Sequence, residues 1–267
     1  FSKSEMLSMT QSVDNFPVSV EDIKKHFPTS CVACIKGQLK KRKLTEPKIV
    51  EDPTEAPQRK NQKKGDLKVS MYDHYSKQRL ESVNMMIGRQ IGLDFFGPIL
   101  NASTLTATDK ASGYLFTVSI AKNGKSETPL HLQLIFDHYA KHGHHVKEYN
   151  KPIESIRCDS DKLFLSKEAN KVLRENGINV TASPPDVHEL NGLAENTNQI
   201  LTNKCRMAFT QMRHVPETLW PSCWAYQVEL RNLCPCAIEG MGHISRQQAF
   251  TGVRPDFAYT PYLPFGA

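Results

Sequence analysis

From residue 87 onward some segments have a hydrophobic residue at every second position, as strands do, and others at about every 3.6 positions, as helices do. This alternation restricts the fold more than any other feature of the sequence. In the segment "GYLFTVSIA", Phe116, Val118 and Ile120 fall on one face, which predicts a strand. Between residues 127 and 142 the apolar positions recur at helical spacing instead, at Leu132, Ile135, Phe136 and Tyr139. A chain that interleaves the two patterns favours a sheet covered by helices.

The order of the elements narrows the fold class further. The segments "IGLDFFGP" and "TLTATDKASGYLFTVSIA" predict three consecutive strands, the first ended by Gly97-Pro98 and the other two joined at "DKASG". A helix, the strand "IESIRC", the helix "SKEANKVLRENG" ending at Gly177 and the strand "INVTAS" follow. Residues 190–212 and 217–233 predict two further helices. We therefore expect an α/β domain with a mixed five-stranded sheet flanked by helices.

The N-terminal third has a different composition. Residues 37–85 are rich in Lys, Pro, Gln and Glu and show almost no apolar pattern, which predicts a basic, disordered linker. Between Lys36 and Lys68 there are 11 Lys and Arg against 5 Asp and Glu, and the difference of +6 equals the net charge of the whole chain. Such a segment suits an arm that binds a polyanion, and a solvated linker is the alternative.

Chain length and cysteine content exclude several classes of protein. No apolar run among the 267 residues reaches the length of a membrane span, and no signal peptide is visible. The cysteines number seven and are not spaced like a disulfide framework, which indicates a reducing, intracellular compartment. Because the chain begins at Phe1 rather than Met, we expect a fragment or a processed product.

Three carboxylates occupy positions that suggest a site. Asp94 lies inside the first strand, Asp159 directly follows the strand "IESIRC", and Glu195 lies near the start of a helix. Carboxylates at strand centres and strand ends are costly to bury unless a cation meets them. If the three converge, a divalent cation removes their repulsion, and hard oxygen ligands suit Mg²⁺. For Glu195 alone, the alternative is a helix-start glutamate that the helix dipole favours.

The helix that carries Glu195 has two distinct faces. Its apolar stripe consists of Ala194, Leu201, Cys205, Ala208 and Met212. The polar stripe beside it continues from Glu195 through Asn198, Thr202 and Arg206. We expect this polar face to look toward the edge of the sheet.

The segments around the three carboxylates are "LDFFGP", "CDSDKLFLSKEANKVLRENGI" and "LNGLAEN", and 35 residues separate Asp159 from Glu195. Together they resemble the catalytic core of retroelement integrases, most closely those of copia-like (Ty1-type) long-terminal-repeat retrotransposons. The D, D-35-E pattern of that family falls here on Asp94, Asp159 and Glu195. The resemblance spans about residues 88–267 and implies an RNase H-like fold.

The resemblance implies an integrase, a polynucleotidyl transferase that trims a DNA 3′ end and joins that end to target DNA. In two-metal phosphoryl transfer the ions lie about 3.5–4 Å apart. By resemblance Asp94 bridges two Mg²⁺ (or Mn²⁺) ions, Asp159 holds one and Glu195 holds the other. The implied partners are retroelement DNA ends, target DNA and further copies of the chain, in a dimer or a tetramer. The implied location is a cytoplasmic particle, and then the nucleus at integration.

Two positions depart from the family pattern. Ser160-Asp161 follows the second aspartate, where the family usually has Asn-Gly or a similar small pair, and Asn196 follows the glutamate, where Arg is usual. These changes favour an alternative function, a catalytically decayed or domesticated integrase derivative that binds DNA or assists assembly. A third possibility is an RNase H-like nuclease of another family.

The N-terminal segment contains part of a zinc motif. Cys31 and Cys34 in "CVACIKG" resemble the second half of the His-His-Cys-Cys site of integrases. Residues 1–25 contain no His, and His26 lies only five residues before Cys31. Because two thiolates cannot complete a tetrahedral site, we expect Zn²⁺ to bind only if upstream histidines are present. Two free cysteines in a loop are the alternative.

These features predict four segments. Residues 1–36 form the C-terminal half of a zinc-binding segment, residues 37–85 form the basic linker, residues 86–240 form the catalytic core, and residues 241–267 form an extension after the core.

The candidate DNA contacts lie on the helix of Glu195 and in the loop after the third strand. They are Lys122, Lys125, Asn198, Lys204 and Arg206. Basic side chains that meet phosphates give salt-dependent, sequence-tolerant binding, and simple surface solvation is the alternative.

Two further features have competing interpretations. Asp109 in "TDKASGY" matches the family, and a turn cap between strands is the structural alternative to a role in DNA binding. The run "HYAKHGHH", residues 138–145, suggests a metal site, but it closes a helix, where His is favoured by the helix dipole.

Overall fold

The computed structural model of the chain describes residues 3–27, 86–99, 102–120, 127–144, 153–158, 164, 166–182, 192–212, 214–236, 244–257 and 265. The predicted linker, residues 37–85, and the pair Cys31 and Cys34 lie outside the described residues.

Five strands form one mixed sheet in the order β3-β2-β1-β4-β5. They are β1 (Gln90–Ile99), β2 (Ala102–Asp109), β3 (Leu115–Ile120), β4 (Ser155–Cys158) and β5 (Asn179–Ala182). The first three pair antiparallel, whereas β4 joins β1 in parallel and β5 joins β4 in parallel. The predicted mixed sheet of five strands is therefore confirmed.

The first strand ends later than predicted. Gly97-Pro98 does not stop it, because β1 continues to Ile99 with a register shift against β2 between Phe96 and Ile99. Gly97 has a φ of +108°, and a Cβ at this position would lie 3.0 Å from the carbonyl oxygen of Ala102. A glycine is needed here because an L side chain rarely adopts this backbone conformation and would meet the neighbouring strand.

Helices pack on both faces of the sheet. The helices of the described residues are α1 (Lys3–Ser12), α2 (Val20–His26), α3 (Thr128–His142), α4 (Lys167–Glu175), α5 (Gly192–Gln211), α6 (Trp220–Leu233) and α7 (Arg246–Thr251), of which α3 to α6 contact the sheet. A short 3₁₀ turn, Glu217–Leu219, precedes α6. Serine side chains accept hydrogen bonds at the starts of α2, α4 and α7, as expected for residues that satisfy the first free amides of a helix. Among the described residues, no helix is long and apolar enough to cross a membrane.

The larger hydrophobic core lies between the sheet and the helices α3 and α4. The predicted stripe of α3 is buried here, at Leu132, Ile135, Phe136 and Tyr139. Ile91 and Leu93 of β1 point into the same core, and Phe95 packs against it. Residues 244–257, predicted to form part of an extension, contribute Phe250 to this core. Each large apolar side chain buried in this way contributes about 1.5–3 kcal/mol.

The opposite face of the sheet packs against α5 and α6. Trp224 is fully buried there and stacks on Phe96 of β1, with ring centroids 4.4 Å apart. Leu201 and Cys205 of α5 complete the cluster with Cys223. Because successive residues of β1 alternate between the two cores, Asp94 falls on the same face as Phe96, toward α5.

The N-terminal helix α1 packs against α6 as part of the same structure. Met9 and Val13 are buried in a cluster with Leu230 and Leu233. Glu5 of α1 accepts hydrogen bonds from two cations, Lys204 of α5 at 3.2 Å and Arg231 of α6 at 3.0 Å. The exposed fractions of these side chains are 22% for Glu5, 12% for Lys204 and 21% for Arg231, so solvent screens the pairs only in part.

Replacing Glu5 with Gln should lower the free energy of unfolding by about 1–3 kcal/mol, because two largely buried cations lose their carboxylate. Urea unfolding measures the change. Glu21→Gln is the matched control, since it removes the same charge from an exposed position of α2 and should change stability by less than about 0.5 kcal/mol. Equal stability of the two variants would contradict the prediction.

Candidate active site

Asp94 lies in the middle of β1, half-buried, on the face that meets α5. Its Oδ2 accepts a hydrogen bond of 2.7 Å from Nδ2 of Asn198, which lies on α5. Hydrogen bonds to ionised acceptors are stronger than neutral ones, so this contact fixes the orientation of the carboxylate.

Glu195 lies in the first turn of α5 and is exposed. The helix approaches β1 at Gly92, where an added Cβ would lie 3.7 Å from the Cβ of Ala194. This contact between two small residues brings the start of α5 to the strand of Asp94. A glutamate at this position also suits the positive end of the helix dipole, so both interpretations of Glu195 are compatible with its position.

Asp94 and Glu195 line one open cleft of about 470 Å³. The other lining residues are Phe96, Asn198, Gln199, Thr202 and Arg206. Along α5, Glu195 and Arg206 are about 16 Å apart at 1.5 Å per residue, so they stand at opposite ends of the row of lining residues on this helix. The cleft therefore has carboxylates at one end, neutral polar groups along α5 and a cation at the other end.

The middle of the polar stripe of α5 faces the sheet, as expected from the sequence, whereas Glu195 and Arg206 at its two ends are exposed. Asn198 and Thr202 are only 5% and 6% exposed. The Thr202 hydroxyl donates to the carbonyl oxygen of Asn198, and the Asn198 amide donates to Asp94. The Oδ1 atom of Asn198 is buried and has no hydrogen-bond partner among the described residues. A role of Asn198 in DNA contact stays a prediction, whereas its contact with Asp94 is present in the structure.

Asp159 lies outside the described residues. It directly follows Cys158, the last residue of β4, and Cys158 pairs with Leu93, the neighbour of Asp94 in the sequence. The structure therefore brings Asp94 and Glu195 together and leaves the third carboxylate as a prediction. Within the described segments, no group of three or more His, Cys, Asp or Glu side chains is arranged to hold a metal ion.

The predicted basic contacts fall into three groups. Lys122 and Lys125 lie outside the described residues. Arg206 is exposed and lines the cleft. Lys204 is only 12% exposed and its ammonium pairs with Glu5, so a DNA phosphate would have to compete with this carboxylate.

Asp109 has the contacts of a turn cap. It is fully buried at the end of β2, and its carboxylate accepts hydrogen bonds from the backbone amides of Gly88 at 2.8 Å and Ser112 at 2.7 Å. Burial raises the pKa of Asp109 to about 6, although the hydrogen bonds from Ser112 and Gly88 oppose the shift. These contacts join the turn after β2 to the residues just before β1, as the interpretation of Asp109 as a turn cap predicts.

His138, in the run "HYAKHGHH", packs among aromatic residues. Its ring stacks on Phe116 with centroids 3.8 Å apart, and its Nε2 lies 3.1 Å from the hydroxyl of Tyr114. Burial, together with the nearby His142 and Lys141, lowers the pKa of His138 to about 4. The ring is therefore neutral at physiological pH and serves as part of the packing between α3 and β3.

Comparison with known proteins finds a similarity of fold and no similarity of sequence to a known family. No protein-family profile and no curated protein matches the sequence. The chain is similar to a solved structure, a cryoEM structure of the simian T-cell lymphotropic virus intasome in complex with PP2A regulatory subunit B56 gamma, with a TM-score of 0.51 over 68% of this chain. The fold is integrase-like. The sequences are 17% identical and the chain spans 59% of the length of that protein, so the similarity concerns the fold alone.

The buried Asp109 carboxyl predicts a pH-dependent effect of Asp109→Asn. Because the folded state raises the pKa of Asp109 from 3.8 to about 6, its contribution to the free energy of unfolding is complete below pH about 4 and is lost as pH rises through about 6. Asn does not titrate, so the stability advantage of the native chain over the variant should decrease from pH 4 to pH 7.

Urea unfolding across this pH range measures the difference in unfolding free energy. Asp137→Asn on the exposed face of α3 serves as the control and should show no such decrease. An advantage of Asp109 that grows with pH would show that the hydrogen bonds outweigh the burial.

Proposed function

We propose that the chain is an integrase, a metal-dependent polynucleotidyl transferase that processes retroelement DNA 3′ ends and joins them to target DNA. The observation that carries this proposal is the cleft that Asp94 of β1 and Glu195 of α5 both line. The integrase-like fold supports the same class of reaction. The proposal includes Asp159 as the third carboxylate of the site.

The groups in the cleft suit a hard divalent cation. Asp94 and Glu195 offer carboxylate oxygens, and the buried Oδ1 of Asn198 is an additional oxygen without a hydrogen-bond partner in the described residues. Oxygen donors of this kind are the ones that Mg²⁺ and Mn²⁺ prefer. Two ions held by Asp94, Asp159 and Glu195 would activate the attacking oxygen and stabilise the leaving oxygen of the phosphoryl transfer.

The side chains of the chain itself hold and orient the reactants. Asn198 fixes one oxygen of Asp94 by its hydrogen bond. Phe96 forms an apolar wall of the cleft, and its stacking on Trp224 holds that wall in place. Arg206 provides a cation for a phosphate of the bound strand, so DNA binding should weaken as the salt concentration rises. Water or a DNA hydroxyl attacks directly, so the mechanism needs no nucleophilic side chain.

Finer assignments belong to the same proposal. The segments around the carboxylates support a copia-like retrotransposon as the source. Cys31 and Cys34 would bind Zn²⁺ only if two histidines upstream of them are present to complete the site. The working form would be a dimer or a tetramer on DNA, first in a cytoplasmic particle and then in the nucleus.

A second candidate function is a DNA-binding or assembly module without catalysis. Asn196 favours it, because this exposed residue follows Glu195 at the position where the family usually has a cation. Loss of that cation would weaken a phosphate contact beside the site and leave the fold unchanged.

A strand-transfer assay tests the proposed function. A labelled linear DNA end is incubated with a plasmid and Mg²⁺ or Mn²⁺, and joined products are measured for the native chain and for Glu195→Gln. Loss of a metal ligand should lower the rate by at least about 100-fold, since a catalytic ion supplies several kcal/mol.

Glu168→Gln is the control for this assay, because Glu168 is also an exposed glutamate in the first turn of a helix. It should retain the native rate, which separates metal binding from a general effect of the helix dipole. Equal rates for Glu195→Gln and the native chain would contradict the proposed site. Salt-sensitive DNA binding without any transfer by the native chain would favour the second candidate.

A further inference from the structure

Helix α4 carries a basic stripe on its exposed face, formed by Lys167, Lys171 and Arg174. The three residues follow the spacing i, i+4, i+7, so they lie along one side of the helix. The opposite side of α4 is anchored in the larger core by Ala169 and Leu173. Because this anchoring fixes the rotation of the helix, the basic stripe is held toward solvent.

The basic stripe lines a shallow groove of about 390 Å³ together with Asn170 and Glu175. Glu175 is its carboxylate neighbour, 3.8 Å from Lys171, and the side chains of Lys171 and Glu175 are 76% and 61% exposed. Such an exposed ion pair is weak and is easily exchanged for another partner. The described residues that line the groove therefore carry a net positive charge, and none of them is apolar.

The positions of β4 and α4 in the fold show where the basic stripe lies relative to the cleft. β4 runs parallel to β1, and its last residue, Cys158, pairs with Leu93 beside Asp94. Lys167 is the first residue of α4 and the residue of the stripe closest in sequence to the end of β4. α4 covers the face of the sheet opposite to α5, because its buried residues belong to the core of Leu93 and Phe95.

We propose that the basic stripe binds the phosphate backbone of duplex DNA outside the cleft. This rests on the proposed function, in which two DNA segments must be held at the same time, one with its reacting strand in the cleft beside α5. The stripe spans about 10 Å along the helix, at 1.5 Å per residue, and suits a row of phosphates. Lysines act as point charges and an arginine can bind a phosphate with two hydrogen bonds.

The chemistry of the groove favours this occupant over others. Sites for small organic ligands are concave and enclosed, whereas this groove is open, and the residues that line it among the described ones carry charged or amide groups on aliphatic stems. Cores of protein interfaces are enriched in aromatic residues, and no aromatic residue is among the described residues that line this groove. Contacts of ammonium and guanidinium groups with phosphates carry no sequence information, so binding here should be independent of DNA sequence.

The test compares DNA binding by the native chain and by the triple variant Lys167→Gln, Lys171→Gln, Arg174→Gln. Fluorescence anisotropy with a labelled duplex gives the association constant from about 50 to about 200 mM salt. Each lost phosphate contact reduces the slope of log K against log salt by about 0.9, so the triple variant should lose about 2–3 from the slope.

The matched control is the triple variant Lys24→Gln, Lys25→Gln, Lys110→Gln, which removes the same charge from exposed positions on other elements. If the control and the α4 variant change the slope equally, only net charge matters and the basic stripe is not a DNA site. An unchanged slope in the α4 variant overturns the inference while the proposed function stands. If the native chain binds no duplex at all, the proposed function fails as well.

Discussion

The packing of α5 on β1 determines the geometry of the candidate site. β1 contributes to two cores at once, because Leu93 and Phe95 point to one side and Phe96 packs with Trp224 on the other. A shift of the β1 register by one residue would move each of these side chains to the opposite face of the sheet. The resulting loss of packing in both cores disfavours such a shift. Asp94 is thereby held toward α5, where Asn198 binds its carboxylate.

The basic side chains of the described residues lie on several surfaces and have different contacts. Lys204 and Arg231 are paired with Glu5, which attaches the N-terminal helix to α5 and α6. Arg206 lines the cleft, and the basic stripe of α4 faces solvent on the other side of the sheet. Cations of the first kind stabilise the fold, whereas those of the other two kinds are exposed, and we propose that they bind DNA phosphates. A count of charges in the sequence does not distinguish these roles.

Much of the fold follows from local patterns in the sequence. The stripe of α3 and the strands β2 and β3 are encoded in residues a few positions apart, so periodicity predicts them. The face of the sheet on which Asp94 lies also follows from the sequence, because successive side chains of a strand point to opposite faces. The sequence favoured the end of β1 at Gly97-Pro98 because these residues usually stop a strand, but pairing with β2 continues beyond them.

The contacts that the sequence did not reveal join residues far apart in the chain. The bond between Asn198 and Asp94 depends on how α5 is placed on the sheet, so the sequence indicated only that Asn198 lies on a polar face. Lys204 looked like a surface cation because its partner Glu5 is 199 residues away. The buried Arg246 donates to the carbonyl oxygen of Arg231 near the end of α6, and no local pattern predicts this contact.

Titration with Mn²⁺, followed by electron paramagnetic resonance of the free ion, is the most direct test of a metal site shared by Asp94 and Glu195. The native chain should bind Mn²⁺ saturably, and Asp94→Asn and Glu195→Gln should each weaken binding by at least about tenfold. Asp137→Asn, on the exposed face of α3, should leave the affinity unchanged. Equal Mn²⁺ affinity in the native chain and in both cleft variants would contradict a shared metal site.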